Sequence, residues 1–339
     1  MELLEKQGNV MRFSIIIPLY NKEPYVAKAI KSVLSQTFTD YELIIVDDGS
    51  KGNSAAIAAQ VIEGHANCCL VCQENAGVSM ARNNGVATSQ GDYLCFLDAD
   101  DWWDFRFLEE ISKLIGEFPD AGIYGTSYII VNETKHKTRI SPIGVEAGFE
   151  KGYINYCQVY AKTLAMPLTS ISVAIPRWVF EEMHGFPKGI KLGEDFLLWI
   201  HIALKYKVAF LNKPLAFYNQ DVDLKNRGIG KLYEPKEHML WNLTDLEPLE
   251  KKNMDYKLLV DNLRVNSLFP YFLSRKYHFF AELELEKVEW NRFSKKTRKR
   301  YLKPLVWLRI QYSLRCLGSK WKRCLLRIIK KQRLSVVLY

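Results

Sequence analysis

Three carboxylates follow an apolar run in the first third of the chain, and their spacing could hold a metal ion. The run covers residues 93–97, and the acids are Asp98, Asp100 and Asp101. Carboxylates this close repel one another unless a cation lies between them. Mg²⁺ and Mn²⁺ prefer oxygen ligands and commonly bind one or two carboxylates together with substrate phosphates. The alternative is an acidic strand-to-helix turn in which Asp101 caps the following helix.

Hydrophobic patterning predicts the elements that would position these acids. Strands are predicted at 13–17, 42–46, 68–72 and 93–97, and helices at 24–35, 55–62 and 78–87. This alternation indicates an α/β fold with a doubly wound, mostly parallel sheet. Polar residues follow three of the strands, at 20–21, 47–48 and 98–100. Ligands of such sheets bind at the carboxyl ends of the strands, so the sequence outlines a nucleotide site.

The known phosphate-binding loops are absent from the sequence. Pro18 stands where the first glycine of G-x-G-x-x-G would be, and no G-x-x-x-x-G-K-[S/T] segment occurs. The charge of a phosphate must then be met by a metal and by side chains. Arg82, on the helix after the third strand, is the candidate for this role, and an ordinary arginine on a helix surface is the alternative.

Beyond residue 105 the hydrophobic pattern predicts helices and strands with less regular spacing. Helices are expected at 106–118, 177–183 and 194–206, and strands at 121–131 and 168–175, with an irregular excursion over 132–152. The excursion is either an acceptor-facing loop or a plain surface segment. Glu194 and Asp195 open the helix at 194–206, where the helix dipole stabilises acids and keeps a carboxylate ionised.

Five segments, taken in order, resemble the motifs of family-2 glycosyltransferases. They are SIIIPLYNKE (14–23), VDDGS (46–50), NAGVSMARNNG (75–85), FLDADD (96–101) and GEDFLLW (193–199). The resemblance covers about residues 12–220 and implies the GT-A fold. A Rossmann-like nucleotide-binding half would occupy 12–103 and an acceptor half 104–229.

The resemblance also implies a role for each matching residue. Residues that would contact the donor nucleotide are Pro18, Tyr20, Asn21, Asp48, Asn75, Gly77, Arg82 and Asp98. Tyr20 would stack on the base, Asp48 would accept from a pyrimidine imide N–H, and Arg82 would meet the diphosphate. Asp98 would reach the ribose or the metal, and Asp100 the metal itself, whereas Asp47 would serve the fold. The expected donor is a UDP-sugar, with Mn²⁺ or Mg²⁺ as cofactor.

The implied catalytic pair is Glu194 and Asp195. Asp195 would be the base, and Glu194 would orient it or the acceptor. One departure from the family pattern lies further on, since Gln220 and Asp221 stand where many relatives carry a histidine that helps to hold metal or diphosphate. Either residue could replace that ligand. Nearby residues that could also contact phosphate are Lys225 and Arg227.

The positive charge of the chain is concentrated at its C-terminal end. The formal net charge is +9, but residues 290–339 contain 16 Lys and Arg and no acid, so the rest of the chain carries −7. Basic residues interleaved with Trp and Leu favour an amphipathic tail at 290–339 that lies on an anionic membrane surface. Nucleic acid or an acidic partner is the alternative. We do not expect nucleic acid, because a nucleic-acid site usually spreads its basic residues over the folded body.

The remaining bulk features concern location and domain organisation. Residues 1–11 are expected to be flexible and residues 230–339 helical. The seven cysteines, an odd number, and the lack of a recognisable signal favour a cytoplasmic protein, peripheral on the inner face of the cell membrane. Cys68, Cys69, Cys72 and Cys95 lie in apolar runs and are expected to be small buried side chains. The sequence contains no run of ~18 uncharged apolar residues, so no membrane-spanning helix is predicted.

Together these features predict inverting, metal-dependent, non-processive transfer of a sugar from a nucleoside-diphosphate sugar. The expected acceptor is a hydroxyl of a saccharide or lipid-linked saccharide in bacterial cell-surface polysaccharide synthesis. Processive relatives carry a Q-x-x-R-W motif, which residues 311–315 do not match. Two alternatives remain open at this point: a catalytically degenerate, membrane-associated scaffold, and a sugar-nucleotide nucleotidyltransferase.

Overall fold

The first half of the central sheet is parallel, as predicted. The computed structural model describes residues 12–132, 134, 137–141, 143–221, 231–303 and 305. The first four strands are β1 (Phe13–Leu19), β2 (Tyr41–Asp47), β3 (Cys68–Cys72) and β4 (Tyr93–Phe96). They lie in the order β3-β2-β1-β4, and the helices between them are α1 (Val26–Leu34), α2 (Ser54–Ile62) and α3 (Val78–Thr88). The carboxyl ends of these strands therefore share one edge of the sheet.

The second half of the sheet is mixed. Its strands are β5 (Trp102–Trp103), β6 (Ala121–Asn132), β7 (Lys137–Ile140), β8 (Lys151–Ile154), β9 (Val173–Pro176) and β10 (Lys207–Asn219). The helices are α4 (Phe107–Glu117), α5 (Tyr156–Thr163), α6 (Arg177–Glu182) and α7 (Glu194–Lys205). The order continues from β4 through β9, β6 and β10 to β5, with β6 parallel to β10 and β9 antiparallel to both its neighbours. The sequence analysis missed β10, whose Pro214 and lysines obscure its alternation.

The buried core explains why these segments form strands and helices. β1 is buried along its whole length, and β2 nearly so, as expected for central strands covered by helices on both faces. α1 places Val26, Ala29, Ile30 and Val33 in the core at helical spacing. Burial of these side chains holds the strand ends in a fixed relation to one another.

Pro18 lies inside the first strand, although the sequence predicted that it would end it. β1 continues through Pro18 to Leu19. The carbonyl of Ile16 accepts from the N–H of Leu97, and Pro18, two residues on, faces the same side of the strand. β4 ends at Phe96, so the ladder on that side stops at the level where Pro18 has no N–H to donate.

The cysteine prediction holds only in part. Cys95 is fully buried in β4, but Cys69 and Cys72 are exposed and Cys68 is half-buried. The reason is that β3 is an edge strand, which pairs with β2 alone, so that the side chains of its apolar residues are only partly covered. Burial raises the pKa of the Cys68 thiol to about 11, so it is not a reactive thiolate.

The chain divides into two compact units, residues 1–263 and 264–339. The sequence placed its boundary after residue 229, whereas residues 231–263 belong to the first unit. The later helices are α8 (Glu247–Glu250), α9 (Met254–Ser267), α10 (Phe269–Leu273), α11 (His278–Glu286) and α12 (Lys295–Tyr301). Within the residues that the structure describes, no helix is long and apolar enough to cross a membrane. The predicted flexible N-terminus at 1–11 and the tail beyond 305 lie outside those residues.

Candidate active site

A buried arginine joins the two halves of the first unit. Arg82 of α3 is 2% exposed. Its Nη2 donates to Asp98 Oδ1 at 2.7 Å and to Ser170 Oγ at 3.1 Å, and its Nη1 donates to Glu194 Oε1 at 3.0 Å. Burial alone would lower the pKa of Arg82, but the charges of Asp98 and Glu194 outweigh it and raise the pKa, so the guanidinium stays charged. Arg82 thereby connects the end of β4 to the start of α7.

The predicted base lies beside this arginine. Asp195 Oδ2 accepts from Ser170 Oγ at 3.3 Å, and Oδ1 accepts from the N–H of Phe196 at 2.9 Å. Burial, together with the charge of Glu194, raises the pKa of Asp195 to about 7, although Arg82 acts in the opposite direction. A carboxylate with a pKa near neutrality is well suited to accept a proton and release it again.

The other two acids after β4, Asp100 and Asp101, are bonded to a lysine and to a backbone amide. Lys22 Nζ lies 2.6 Å from Asp100 Oδ2, and both side chains are more than four-fifths buried. Asp101 Oδ1 accepts from the N–H of Asn219 at 2.7 Å. The expectation that Asp101 could cap the next helix is wrong, because α4 begins at Phe107 and Arg106 stands at its N-cap. Asp101 instead ties the cluster to the end of β10.

The balance of charge at this edge favours a cation. Five carboxylates meet here: Asp98, Asp100, Asp101, Glu194 and Asp195. Among the residues that the structure describes, Lys22 and Arg82 are the cations paired with these acids, and they supply two positive charges. Burial and the neighbouring carboxylates raise the pKa of Asp101 well above its usual range, which reflects this surplus of negative charge.

A divalent ion is compatible with this set of carboxylates, and Asp100 and Asp98 are the residues that would hold it. Among the described residues no group of three or more His, Cys, Asp or Glu is arranged to hold a metal. The fit is therefore to an ion that completes its coordination with substrate and water oxygens, as Mg²⁺ commonly does.

Asp48 closes the neighbouring loop through a set of hydrogen bonds. Its carboxylate accepts from the N–H groups of Ala76 and Gly77 at 2.8 and 2.9 Å and from Gln73 Nε2 at 2.8 Å. Asn75 Nδ2 donates to the Asp48 carbonyl at 2.9 Å. Gly77 has a φ of +91°, a conformation that favours glycine. The predicted nucleotide residues Asp48, Asn75 and Gly77 thus form one connected loop.

The first loop is built in a similar way. Asn21 takes a positive φ of +51°, its N–H donates to Ser50 Oγ, and its Oδ1 accepts from the N–H of Lys51 at 2.9 Å. Tyr20 is 41% exposed, as a residue that stacks on a ligand must be, whereas Pro18 is buried in β1. Tyr20 and Asn21 are both exposed, and Tyr20 is the one that offers an aromatic ring.

Residues 220 and 221 close the other side of the cluster. The N–H of Gln220 donates to the carbonyl of Val131, and the Asp221 carboxylate accepts from the hydroxyl of Thr134. Since Asn219 is bonded to Asp101, this segment runs next to the acids. The other two phosphate candidates, Lys225 and Arg227, lie outside the described residues.

Part of the chain matches a known protein family. Residues 14–175 match the family model described as glycosyl transferase family 2. These residues therefore form a glycosyl transferase family 2 domain within the chain. The glycosyltransferase domain contains β1 to β4, Arg82 and the acidic cluster, whereas Glu194 and Asp195 follow it in the chain.

Relatives of the chain are bacterial glycosyltransferases. Glycosyltransferase GlyA of Streptococcus pneumoniae is 32% identical over 215 residues, which are 61% of this chain and 30% of GlyA. A Rickettsia conorii glycosyltransferase is 30% identical over 278 residues, 74% of this chain and 43% of the relative. The chain thus spans less than half the length of these two relatives. Glycosyltransferase GlyG of S. pneumoniae is 24% identical over 80% of this chain and 91% of GlyG.

A solved structure shows the same fold. Residues 1–349 of S. aureus TarS, crystallised in complex with UDP-GlcNAc, superpose with a TM-score of 0.64 at 19% identity. The match covers 81% of this chain and 78% of that one. It supports the GT-A architecture predicted for the glycosyltransferase domain.

Three residues that position this site were missed in the sequence. Lys22 lies inside the first motif and follows Asn21 directly. A positive charge next to a strand end was the signal that could have marked it as a site residue. Ser170 lies in a single 3₁₀ turn before β9, and Asn219 contributes a backbone N–H. No sequence signal could have found Ser170 or Asn219, because their contacts join segments 25 to 118 residues apart.

Removing the charge of Arg82 should cost much of the stability of the fold. In Arg82→Met the carboxylates of Asp98 and Glu194 lose their common partner, and we expect the free energy of unfolding to fall by about 3 kcal/mol or more. Urea denaturation would measure the loss. The matched control is Arg106→Met, since Arg106 pairs with Asp104 at 3.1 Å but is 42% exposed. A much smaller loss is expected there, because exposed ion pairs contribute little to stability. Equal losses in the two variants would contradict the role given to Arg82.

Proposed function

We propose that this chain catalyses inverting, non-processive transfer of a sugar from a UDP-sugar to a hydroxyl of a saccharide or lipid-linked saccharide acceptor. The observation that carries the proposal is the junction at Arg82, which brings the strand-end acid Asp98 next to the Glu194–Asp195 pair. This supports a site in which donor-binding groups and a base would share one edge of the sheet. S. aureus TarS, which shares the fold, was crystallised with UDP-GlcNAc, and this supports the choice of donor.

The chemistry assigns one task to Asp195. The acceptor oxygen bonds to the anomeric carbon as the bond from that carbon to the diphosphate breaks, and Asp195 takes the hydroxyl proton. Ser170 donates a hydrogen bond to Asp195 Oδ2 and so sets the direction of the carboxylate. Glu194 is held by Arg82 and orients the acceptor.

The donor would lie across the strand ends. Tyr20 offers an exposed ring for the base, and the loop closed by Asp48, Asn75 and Gly77 borders it. A divalent cation on Asp100, with Asp98 close by, would stabilise the negative charge of the departing diphosphate. Arg82 holds Asp98 and Glu194, so it acts on the diphosphate through the field of its charge.

The nucleotide and the metal are tested together by thermal shift. UDP, GDP, CDP, dTDP and NAD are each added with and without Mn²⁺. At 100 times its dissociation constant a ligand stabilises the fold by about 2.7 kcal/mol, and we expect this for UDP with Mn²⁺. Asp100→Ala should lose the shift, whereas Asp195→Asn should keep the shift and lose sugar transfer. A shift with NAD alone, or no shift in a folded sample, would overturn the proposal.

The role of Asp195 predicts a pH dependence. A base must be ionised to accept a proton, so kcat/KM for donor turnover should rise with pH through about 7 and then level off. The charge of Glu194 helps to raise this pKa, so Glu194→Gln should move the rise to lower pH. UDP release between pH 5.5 and 9 measures both profiles. A profile that is flat across neutrality would show that Asp195 is not the base.

The basic C-terminal residues support a location at the membrane and a lipid-linked acceptor. The 16 basic and no acidic residues of 290–339 suit attachment to the anionic inner face of the cell membrane, where lipid-linked saccharides of cell-surface polysaccharide synthesis are found. α12 (Lys295–Tyr301) contributes five of these basic residues, of which Lys295, Lys296 and Lys299 are exposed. Each Lys or Arg near such a surface adds about 1 kcal/mol of attraction.

Vesicle flotation of the full chain tests membrane attachment. We expect the protein to float with vesicles that contain phosphatidylserine and to be released as salt rises, because salt screens charge attraction. Vesicles of phosphatidylcholine alone are the control. Equal binding to both kinds of vesicle, or binding that salt does not change, would contradict a charge-driven attachment.

A further inference from the structure

Lys22 occupies the position that the proposed metal would need. Its Nζ lies 2.6 Å from Asp100 Oδ2, and the two side chains are only 18% and 17% exposed. A divalent ion bound to that oxygen would stand in van der Waals contact with the ammonium, and two cations at this distance repel strongly. Metal and lysine therefore compete for Asp100 Oδ2.

The backbone of Lys22 is fixed, so the side chain alone can move. Its N–H donates to Ser54 Oγ at 3.0 Å, and its carbonyl accepts from the N–H groups of Tyr25 and Val26 at 3.0 Å each, at the start of α1. A lysine ammonium is a compact charge on a flexible stem, and it can exchange one anionic partner for another. Tyr20, the exposed platform for the base, lies two residues before it.

From this geometry we propose that Lys22 is a displaceable counter-cation that couples metal binding to donor binding. Without donor, its ammonium neutralises Asp100 and weakens the binding of a divalent ion there. When metal and nucleoside diphosphate bind together, the ammonium leaves Asp100 and pairs with the diphosphate. Metal and donor then bind more tightly together than separately. This inference rests on the proposed function, because it needs a metal on Asp100 and a diphosphate donor.

The contrast with Arg82 supports the exchange. Arg82 donates to two carboxylates and a hydroxyl at once and is 2% exposed, so moving it would leave several groups without partners. Among the described residues Lys22 makes one ion pair, with Asp100 at the rim of the acidic cluster. Of the two cations, Lys22 is the one that a ligand can displace at small cost.

The test is calorimetric binding of Mn²⁺ to the full chain, with and without UDP. In Lys22→Met we expect Mn²⁺ alone to bind about 5-fold tighter or more, and UDP at saturating Mn²⁺ to bind weaker by a similar factor. A residue that merely supports the loop would move both affinities in the same direction. Lys31→Met, which removes an exposed charge from α1, is the matched control and should change neither affinity.

The outcomes separate this inference from the proposed function. If wild-type protein binds Mn²⁺ and Lys22→Met leaves that affinity unchanged or weaker, the coupling is overturned while the metal site stands. If neither protein binds Mn²⁺ with or without UDP, the metal dependence itself is overturned. Lys22→Gln, whose amide can still donate to Asp100 without a charge, serves where the methionine variant fails to fold and carries the same expectation.

Discussion

The site depends on how an excess of buried negative charge is balanced at one edge of the sheet. Five carboxylates gather there, and Lys22 and Arg82 oppose them. A buried carboxylate without a partner is costly, so the ion pairs of these two residues decide whether the strand ends and the start of α7 can approach at all. The remaining surplus of charge is what gives the edge its affinity for a cation and a donor.

The two cations balance this charge in different ways. The guanidinium of Arg82 is planar and always charged, and its several N–H groups bind Asp98, Glu194 and Ser170 together. It is a permanent part of the fold. The ammonium of Lys22 makes a single close ion pair, which suits a charge that is exchanged during a binding event. The same edge thus contains one fixed and one exchangeable counter-charge.

The environment of Asp195 follows from this arrangement. Burial and the adjacent Glu194 favour its neutral form, and Arg82 favours the ionised form, with a pKa of about 7 as the result. A base poised near neutrality can accept a proton from the acceptor and lose it to solvent afterwards. The property belongs to three side chains from two helices, α3 and α7, rather than to Asp195 alone.

The sequence by itself determined the parallel half of the sheet and the family. Strands 1 to 4 carry apolar runs with helices between them, and the ordered motifs name Asp48, Asp98, Asp100 and Asp195 as site residues, because both signals are local in the chain. What only the tertiary structure decided is which charges meet. The ion pairs of Lys22 with Asp100 and of Arg82 with Glu194, and the bond of Ser170 to Asp195, join distant segments. Periodicity and motif spacing do not encode such distances, since they arise only when the sheet is assembled and its buried charges must find partners.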